Sequence, residues 1–305
     1  MLPGFIKTVA SVAAITAAAF ISAVGPASAA PTGPEQPNGL AAIVYSFQHP
    51  GVYPPGMNDF GCKPTAAHPR PVILLHGTFS NAYANWAMFA PRIAAAGYCV
   101  FGLNYGGANG SPVQATGNQR GSAGQLAVFV DEVLAATGAD KVDLVGHSQG
   151  ALMPLYYINK LVGADKVHNM IGVEPATNGI SAYGVMHLYD AVPLLRFYRD
   201  LLLPAAQDYT AGSDFVQEIA ANGMTRPQVQ YTTIISRSDL IITVPEAQLP
   251  PAPNVNNVVT QDVCPADQTN HLGAVYDDIT LQLVFSALDR ATAHAPQCHP
   301  VAPWR

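Results

Sequence analysis

Residues 141–161 read KVDLVGHSQGALMPLYYINKL, and this stretch decides the predicted fold. A short β-branched and apolar run at 142–145 meets the pentapeptide GHSQG, and an apolar, helix-compatible segment follows at once. In a G-x-S-x-G elbow the serine occupies a strained turn between a strand and a helix, and the flanking glycines leave room for that turn. The stretch therefore predicts a strand, a sharp turn centred on Ser148, and a helix.

The rest of the chain alternates between strand-like and helical patterns. Continuous apolar runs such as PVILL at 71–75 are typical of strands that are buried on both faces, as in parallel sheets. The pattern predicts strands at 71–75, 98–103, 142–145, 167–173, 228–235 and 257–263, and helices at 83–96, 119–136 and 272–293. This alternation predicts an α/β fold with a mostly parallel sheet, flanking helices, and ligands at the carboxyl ends of the strands.

Two segments depart from that alternation. Residues 30–69 are rich in Pro and Gly, which predicts an extended arm around the domain, with the apolar run 40–47 docked on it. The segment of approximately 176–228 has clustered large apolar side chains and no clear strand pattern, which predicts a small helical cap. This cap is an insertion in a single predicted domain, residues 30–305. Ordinary core helices remain the alternative, because an amphipathic run fits both.

Composition limits the classes of function. The 305 residues are 49% hydrophobic and 11% charged, so one large α/β domain is expected and extensive disorder is excluded. The formal net charge is −6, and the Lys and Arg residues are scattered rather than clustered, so a nucleic-acid partner is not expected. We find no metal-ligand spacing, phosphate loop or dinucleotide fingerprint, so the sequence predicts no cofactor and no metal.

Residues 1–29 have the pattern of a secretory signal peptide. Lys7 precedes an Ala-rich apolar run at 9–24, and the small residues Ala27-Ser28-Ala29 follow. We expect cleavage after Ala29 and a secreted protein, outside the cell or on the exterior of the envelope. A retained membrane anchor is the alternative, since 5–24 is about 20 residues and just long enough to span a bilayer.

Four cysteines in an exported chain predict two disulfides, for which three connectivities are open. Pairing Cys62 with Cys99 and Cys264 with Cys298 is favoured, because each bridge then closes a loop of about 35 residues, worth roughly 3 to 5 kcal/mol of stability in the chain-entropy model. Free buried thiols are the alternative.

Ser148 can act as a nucleophile only with a base, an acid that orients the base, and donors for an oxyanion. In elbow hydrolases the acid and the histidine follow the serine in that order, each on a loop after a strand. Asp239 follows the strand that ends at 235, and His271 precedes the last helix. The competing acids and bases lie in the cap segment, next to His271 or Ser148, or near the end of the chain: Asp190, Asp208, Asp214, Asp262, Asp267, His147, His187, His294 and His299.

The oxyanion donors in this architecture are backbone N–H groups. Gln149 supplies the N–H after the serine, and Thr78 in the loop His76-Gly77-Thr78 supplies the second, with its hydroxyl as a candidate third donor. Each such donor is worth about 3 kcal/mol of transition-state stabilisation.

Four separated motifs carry a resemblance to a known family. The elbow GHSQG, the loop LLHGT, the segment SRSDLIITVPEAQ and the segment NHLGAVYD resemble the secreted bacterial lipases of lipase class 2 and, more distantly, the fungal lipase B fold, over roughly residues 60–300. The positions of the four cysteines also match the bridging pattern of lipase B. Two departures are visible: Asn270 stands where lipase B has an acid, and Ala151 stands where many relatives have a second glycine.

The resemblance implies an α/β-hydrolase with Ser148, Asp239 and His271 as the triad and with Thr78 and Gln149 at the oxyanion hole. It implies hydrolysis of an ester or lipid substrate without a cofactor, and we expect a triacylglycerol lipase or esterase, monomeric, with transient contact to a lipid interface. Two alternatives remain: an acyltransferase that uses the same acyl-enzyme, and a non-catalytic lipid-binding module.

Overall fold

Six short apolar segments form one sheet in the computed structural model, which describes residues 31–186 and 191–303. The predicted signal peptide at 1–29 lies outside the described residues. The strands are β1 Val72–Leu75, β2 Val100–Gly102, β3 Val142–His147, β4 Val167–Val173, β5 Gln230–Ile235 and β6 Val255–Val259.

Every neighbouring pair in this sheet is parallel, and the strand order is β2-β1-β3-β4-β5-β6. From β1 the chain continues to β2 at one edge of the sheet, whereas from β3 it continues to β4 toward the other edge. The connections after β1 and β3 therefore diverge, and a crevice opens between the carboxyl ends of these two strands. The α/β class is confirmed, and the mostly parallel sheet is wholly parallel over the described strands. The loop after β1 and the serine after β3 flank this crevice.

Helices cover both faces of the sheet. Successive residues of β1 point to opposite faces: Ile73 and Leu75 pack into one core cluster, whereas Val72 and Leu74 pack into the other. Numbered over the described residues, the helices are α1 Gly39–Gln48, α2 Ala82–Trp86, α3 Phe89–Ala95, α4 Gln119–Thr137, α5 Gln149–Lys160, α6 Pro193–Leu202, α7 Ala205–Tyr209, α8 Asp214–Ala220, α9 Val244–Ala247, α10 Thr260–Val263 and α11 Asp278–Leu288.

Several boundaries differ from the sequence prediction, and side-chain caps decide two of them. The arm at 30–69 contains a helix, α1, which begins where the Asn38 side chain accepts the Ala41 N–H. The helix predicted at 272–293 begins only at 278, where Asp277 accepts two N–H groups of the first turn. The last strand ends at Val259 and α10 follows at once. Periodicity of apolar residues gives none of these caps.

The segment 176–228 divides into two kinds of helix. The amphipathic α6 has no buried residue, and its apolar side chains, such as Leu194 and Phe197, are exposed. In α8, by contrast, Phe215 and Ile219 are buried in the core beneath α5. Neither alternative, a cap or ordinary core helices, therefore describes the whole segment 176–228.

The structure joins Cys62 to Cys99 and Cys264 to Cys298, the pairing favoured from the sequence. The first bridge ties the arm to β2, and the second ties the chain after α11 to α10. Among the described residues, no helix is both long enough and apolar enough to span a membrane.

Candidate functional site

Ser148 occupies a strained turn between β3 and α5, with φ 55° and ψ −124°. Two glycines make that turn possible. A Cβ on Gly146 would lie 2.0 Å from the carbonyl oxygen of Gly150, and a Cβ on Gly150 would lie 2.3 Å from the carbonyl oxygen of Leu75. Both distances are far inside van der Waals contact, so the predicted elbow depends on bare backbone at both positions.

His271 Nδ1 lies 2.7 Å from Asp239 Oδ2, and both side chains are buried. An ionised carboxylate can only accept hydrogen bonds, so Nδ1 carries the proton and Nε2 keeps its lone pair. The second carboxylate oxygen, Oδ1, accepts the backbone N–H groups of Ile241 and Ile242 at 2.7 and 2.8 Å. Burial opposes the charge of Asp239, but the hydrogen bond and electrostatic interaction with His271, together with hydrogen bonds from Glu174 and the Ile242 N–H, hold the pKa of Asp239 below its ordinary value.

Short-range contacts fix the loop that carries His271. The Asn270 side chain accepts the N–H groups of Leu272 and Gly273, both at 3.2 Å. His147 Nε2 lies 2.9 Å from the His271 carbonyl oxygen, and His147 Nδ1 lies 3.0 Å from Asn85 Oδ1. Burial, with the charge of His271 second, lowers the pKa of His147 to about 3. His147 therefore packs against the backbone of the loop, as a neutral support beside the serine.

The loop after β1 lies directly against the serine. A Cβ on Gly77 would lie 3.2 Å from Ser148 Cβ, so only glycine lets the loop approach this closely without displacement. Thr78 Oγ1 donates to Gln149 Oε1 at 2.7 Å, which ties the two expected donor residues together. The Thr78 hydroxyl is thus already engaged, contrary to its candidate role as a third free donor. Among the described residues, neither the Thr78 nor the Gln149 backbone N–H has an acceptor.

Glu174, at the end of β4, was missed in the sequence analysis. It is 1% exposed, and its carboxyl oxygens accept the Ser236 N–H at 3.0 and 3.2 Å. Burial, then the charge of Asp239 and a hydrogen bond with it, raise the pKa of Glu174 well above its ordinary value. An acidic residue directly after a buried strand is the signal that could have found it, because such strand ends line the crevice.

Three buried side chains form a cluster with metal-ligand spacing: Glu174, Asp239 and His271. One potential ligand atom from each lies within 4.8 Å of those of the other two. However, three N–H groups already donate to the Asp239 carboxylate. The arrangement is therefore that of a hydrogen-bonded acid and base, with a second carboxyl group beside it.

Ser148 and His271 line the same cavity, whose volume is about 780 Å³. Of the described residues, no Asp, Glu, Lys or Arg lines it. The helix α1 supplies one wall through Leu40, Ile43 and Phe47, although the sequence predicted an extended arm there. The segment 176–228 contributes a small set of side chains, none of them from 192–203: Ile180, Ala182, Met186 and Tyr209.

Four of the competing acids and histidines are engaged elsewhere. Asp208 pairs with Arg120 and accepts the Gln119 N–H, and Asp262 pairs with Arg237. The Nδ1 atoms of His294 and His299 contact backbone carbonyl oxygens near the C-terminus. Asp190 and His187 lie outside the described residues.

Comparison with known proteins identifies the fold. A family model described as alpha/beta hydrolase fold matches residues 70–203. A 96-residue stretch is 38% identical to a triacylglycerol lipase of Pseudarthrobacter phenanthrenivorans and, over the same length, 38% identical to a triacylglycerol lipase of Burkholderia plantarii. Each match covers 30% of this chain, but only 28% and 25% of the two relatives, so the similarity spans about a quarter of their length.

Solved structures show the same fold at low identity. Aspergillus fumigatus lipase B superposes with a TM-score of 0.59 and 20% identity, over 81% of this chain and 57% of that one. The mature form of Bacillus licheniformis lipase BlEst2 superposes with a TM-score of 0.57 and 15% identity, over 74% of this chain and 94% of that one. These superpositions confirm the likeness to the lipase B fold, and the 38% identity to two bacterial triacylglycerol lipases confirms the resemblance to bacterial lipases.

Proposed function

Since this chain has the α/β-hydrolase fold, we propose that it is a serine carboxylic-ester hydrolase with Ser148, His271 and Asp239 as its triad. One observation carries the proposal: the 2.7 Å contact between His271 and Asp239 is made at the cavity onto which the strained Ser148 turn opens. A nucleophile, a base and an orienting acid on three different loops are the requirements for acyl transfer through a covalent intermediate.

The reaction follows from the proton positions. Ser148 Oγ attacks the ester carbonyl while His271 Nε2 takes its proton, and the imidazolium formed is stabilised by the Asp239 carboxylate. His271 then returns the proton to the leaving alcohol, which departs. A water molecule, deprotonated in turn by His271, attacks the acyl-enzyme and releases the acid.

Thr78 and Gln149 provide the oxyanion donors in this proposal. Their backbone N–H groups have no acceptor among the described residues, and the hydrogen bond between their side chains holds the two N–H groups in a fixed relationship. Donors that are already oriented cost no reorganisation when negative charge develops on the attacked oxygen, and each is worth about 3 kcal/mol.

The substrate is a neutral ester with an apolar acyl chain, and we propose that the enzyme is a triacylglycerol lipase or esterase. A charged acyl group would find no opposite charge among the described side chains of the cavity, whereas Leu40, Ile43 and Met186 offer apolar contacts. The names of the bacterial relatives support the same substrate class.

We further propose that residues 1–29 direct export and that the catalytic domain is residues 30–305, acting as a monomer. Two disulfides favour an oxidising compartment. The exposed apolar side chains of α6, in the proposed cap at 176–228, favour transient contact with a lipid interface.

The test combines turnover with covalent labelling. Ser148→Ala should abolish hydrolysis of p-nitrophenyl esters and labelling by a phosphonate probe, while the melting temperature is retained. Ser286→Ala, on α11 and bonded to the His294 carbonyl, is the control and should retain both activities. Labelling or turnover that survives in Ser148→Ala would contradict the assignment.

A further inference from the structure

Glu174 has an unusual backbone and an unusual environment for an acidic residue. Its φ is 45°, in the left-handed region that favours glycine, and its N–H donates to the Ile234 carbonyl at 2.8 Å. The side chain is fully buried between the strand ends of β4 and β5. Strained backbone and a buried acid each cost free energy, and such costs cluster at functional sites.

The charged groups that act most strongly on Glu174 are carboxylates. Asp239 and the His271 ring lie in the same cluster as Glu174, and Asp267 is the second carboxylate whose charge acts on it. His147 approaches the outer side of that ring, with ring centroids 4.9 Å apart. Two like charges this close together in a buried site repel each other strongly, which favours a proton on one of the two carboxyl groups.

The hydrogen bonds differ between the two carboxyl groups. Asp239 accepts two backbone N–H groups and the His271 Nδ1–H, and each of these donors favours its charged form. Glu174 accepts one N–H, from Ser236. These hydrogen bonds favour the charge on Asp239 and the proton on Glu174.

We propose that Glu174 is protonated and donates a hydrogen bond to the Asp239 carboxylate, and so acts as a positioning residue that holds Asp239 in place for His271. This inference rests on the proposed triad. With this fourth donor, the Asp239 oxygens are fully engaged, and the carboxylate cannot rotate away from the imidazole without losing bonds at both ends.

The direction of two pKa shifts agrees with this arrangement. The pKa of Glu174 is raised, chiefly by burial and then by Asp239. The pKa of Asp239 is lowered against the effect of burial, by His271 first and then by the bond from Glu174. A proton on Glu174 thus accounts for both.

Infrared difference spectroscopy tests the protonation without needing turnover. Wild type minus Glu174→Gln at neutral pH should show the carbonyl stretch of a protonated carboxyl group, and in an Asp239→Asn background that band should shift or vanish because the facing charge is gone. A difference spectrum with only carboxylate bands would overturn the proposal. The infrared result does not depend on esterase activity. Failure of this inference can therefore be distinguished from failure of the proposed function.

The pH dependence of kcat tests the effect on His271. Glu174→Gln keeps an N–H donor and should leave the acidic midpoint unchanged, whereas Glu174→Leu removes the donor and should raise the midpoint by roughly one pH unit, with kcat about tenfold lower and KM unchanged. If Glu174 were ionised, both substitutions would lower the midpoint, because a negative charge beside His271 would be lost. A purely structural role would lower the melting temperature of Glu174→Leu and leave its midpoint in place. If Glu174→Leu fails to fold, the midpoint of Glu174→Gln and the infrared spectrum still test whether Glu174 is protonated.

Discussion

Asp239 Oδ2 lies 2.7 Å from His271 Nδ1, although the two residues are 32 positions apart and sit on loops that follow different strands. The parallel sheet brings them together, because the carboxyl ends of β5 and β6 lie side by side. The contact sets the tautomer of His271 and leaves Nε2 free to accept a proton. The proposed mechanism depends on this tautomer.

Asp239→Asn should therefore lower kcat by about four orders of magnitude with little change in KM, because an amide can donate to Nδ1 and stabilise the wrong tautomer. Initial rates on a soluble p-nitrophenyl ester measure the effect. Asp262→Asn, which removes an exposed partner of Arg237, is the matched control and should keep wild-type rates. A comparable loss in both variants would argue against a special role for Asp239.

Gly146→Ala should prevent folding or cost several kcal/mol, because the new Cβ would lie 2.0 Å from the backbone carbonyl oxygen of Gly150, far inside van der Waals contact. Gly124→Ala, within α4, has no atom within 4 Å of the added Cβ and should stabilise the protein by about 0.5 to 1 kcal/mol. Chemical denaturation of both variants compares the two glycines directly. Equal stabilities would show that the elbow tolerates a side chain.

Ile43→Ser should lower kcat/KM for long-chain esters about tenfold and leave acetate esters nearly unaffected, because Ile43 on α1 lines the cavity and its side chain would contact only a long acyl group. Val44→Ser is the control, since Val44 is on the same helix but faces away from this cavity. A rate series over acyl chain length gives the measurement. Equal effects in the two variants would remove α1 from the acyl site.

Glu174→Gln should change how stability depends on pH. The folded protein holds the pKa of Glu174 well above its unfolded value, so folding takes up a proton at any pH between the two values. Wild-type stability is greatest below the unfolded pKa and is lost as the pH rises toward the folded pKa, by up to about 1.4 kcal/mol per pH unit relative to the Gln variant. Guanidinium unfolding at a series of pH values should show the variant gaining on wild type as the pH rises. A difference that stays flat would mean that Glu174 does not take up this proton.

Removing the Cys62–Cys99 bridge by a double substitution to serine should destabilise the protein by about 4 kcal/mol, because the bridge closes a loop of 37 residues. Thermal unfolding with and without a reductant measures this loss. The double variant should no longer respond to reductant at that bridge, and an unchanged melting temperature would mean that strain cancels the entropic gain.

The sequence by itself determined the elbow, because a strand, a turn that only glycine can flank, and a helix are encoded within 21 consecutive residues. It also determined the order Ser148, Asp239, His271 and the favoured pairing of cysteines, since each is a matter of position along the chain. The mostly parallel sheet was predicted from the alternation of apolar strands with helices. These features rest on local patterns or on chain order, which a sequence displays directly.

Only the tertiary structure decided which side chains meet at the cavity. The helix α1 was predicted as an extended arm, because its cap at Asn38 and its contact with the site leave no periodic signal. The Thr78 hydroxyl bonds to Gln149, 71 residues away, and Glu174 faces Asp239 from a neighbouring strand. Burial and hydrogen-bond partners arise when distant segments pack together, so the protonation and orientation of a side chain are properties of the folded neighbourhood.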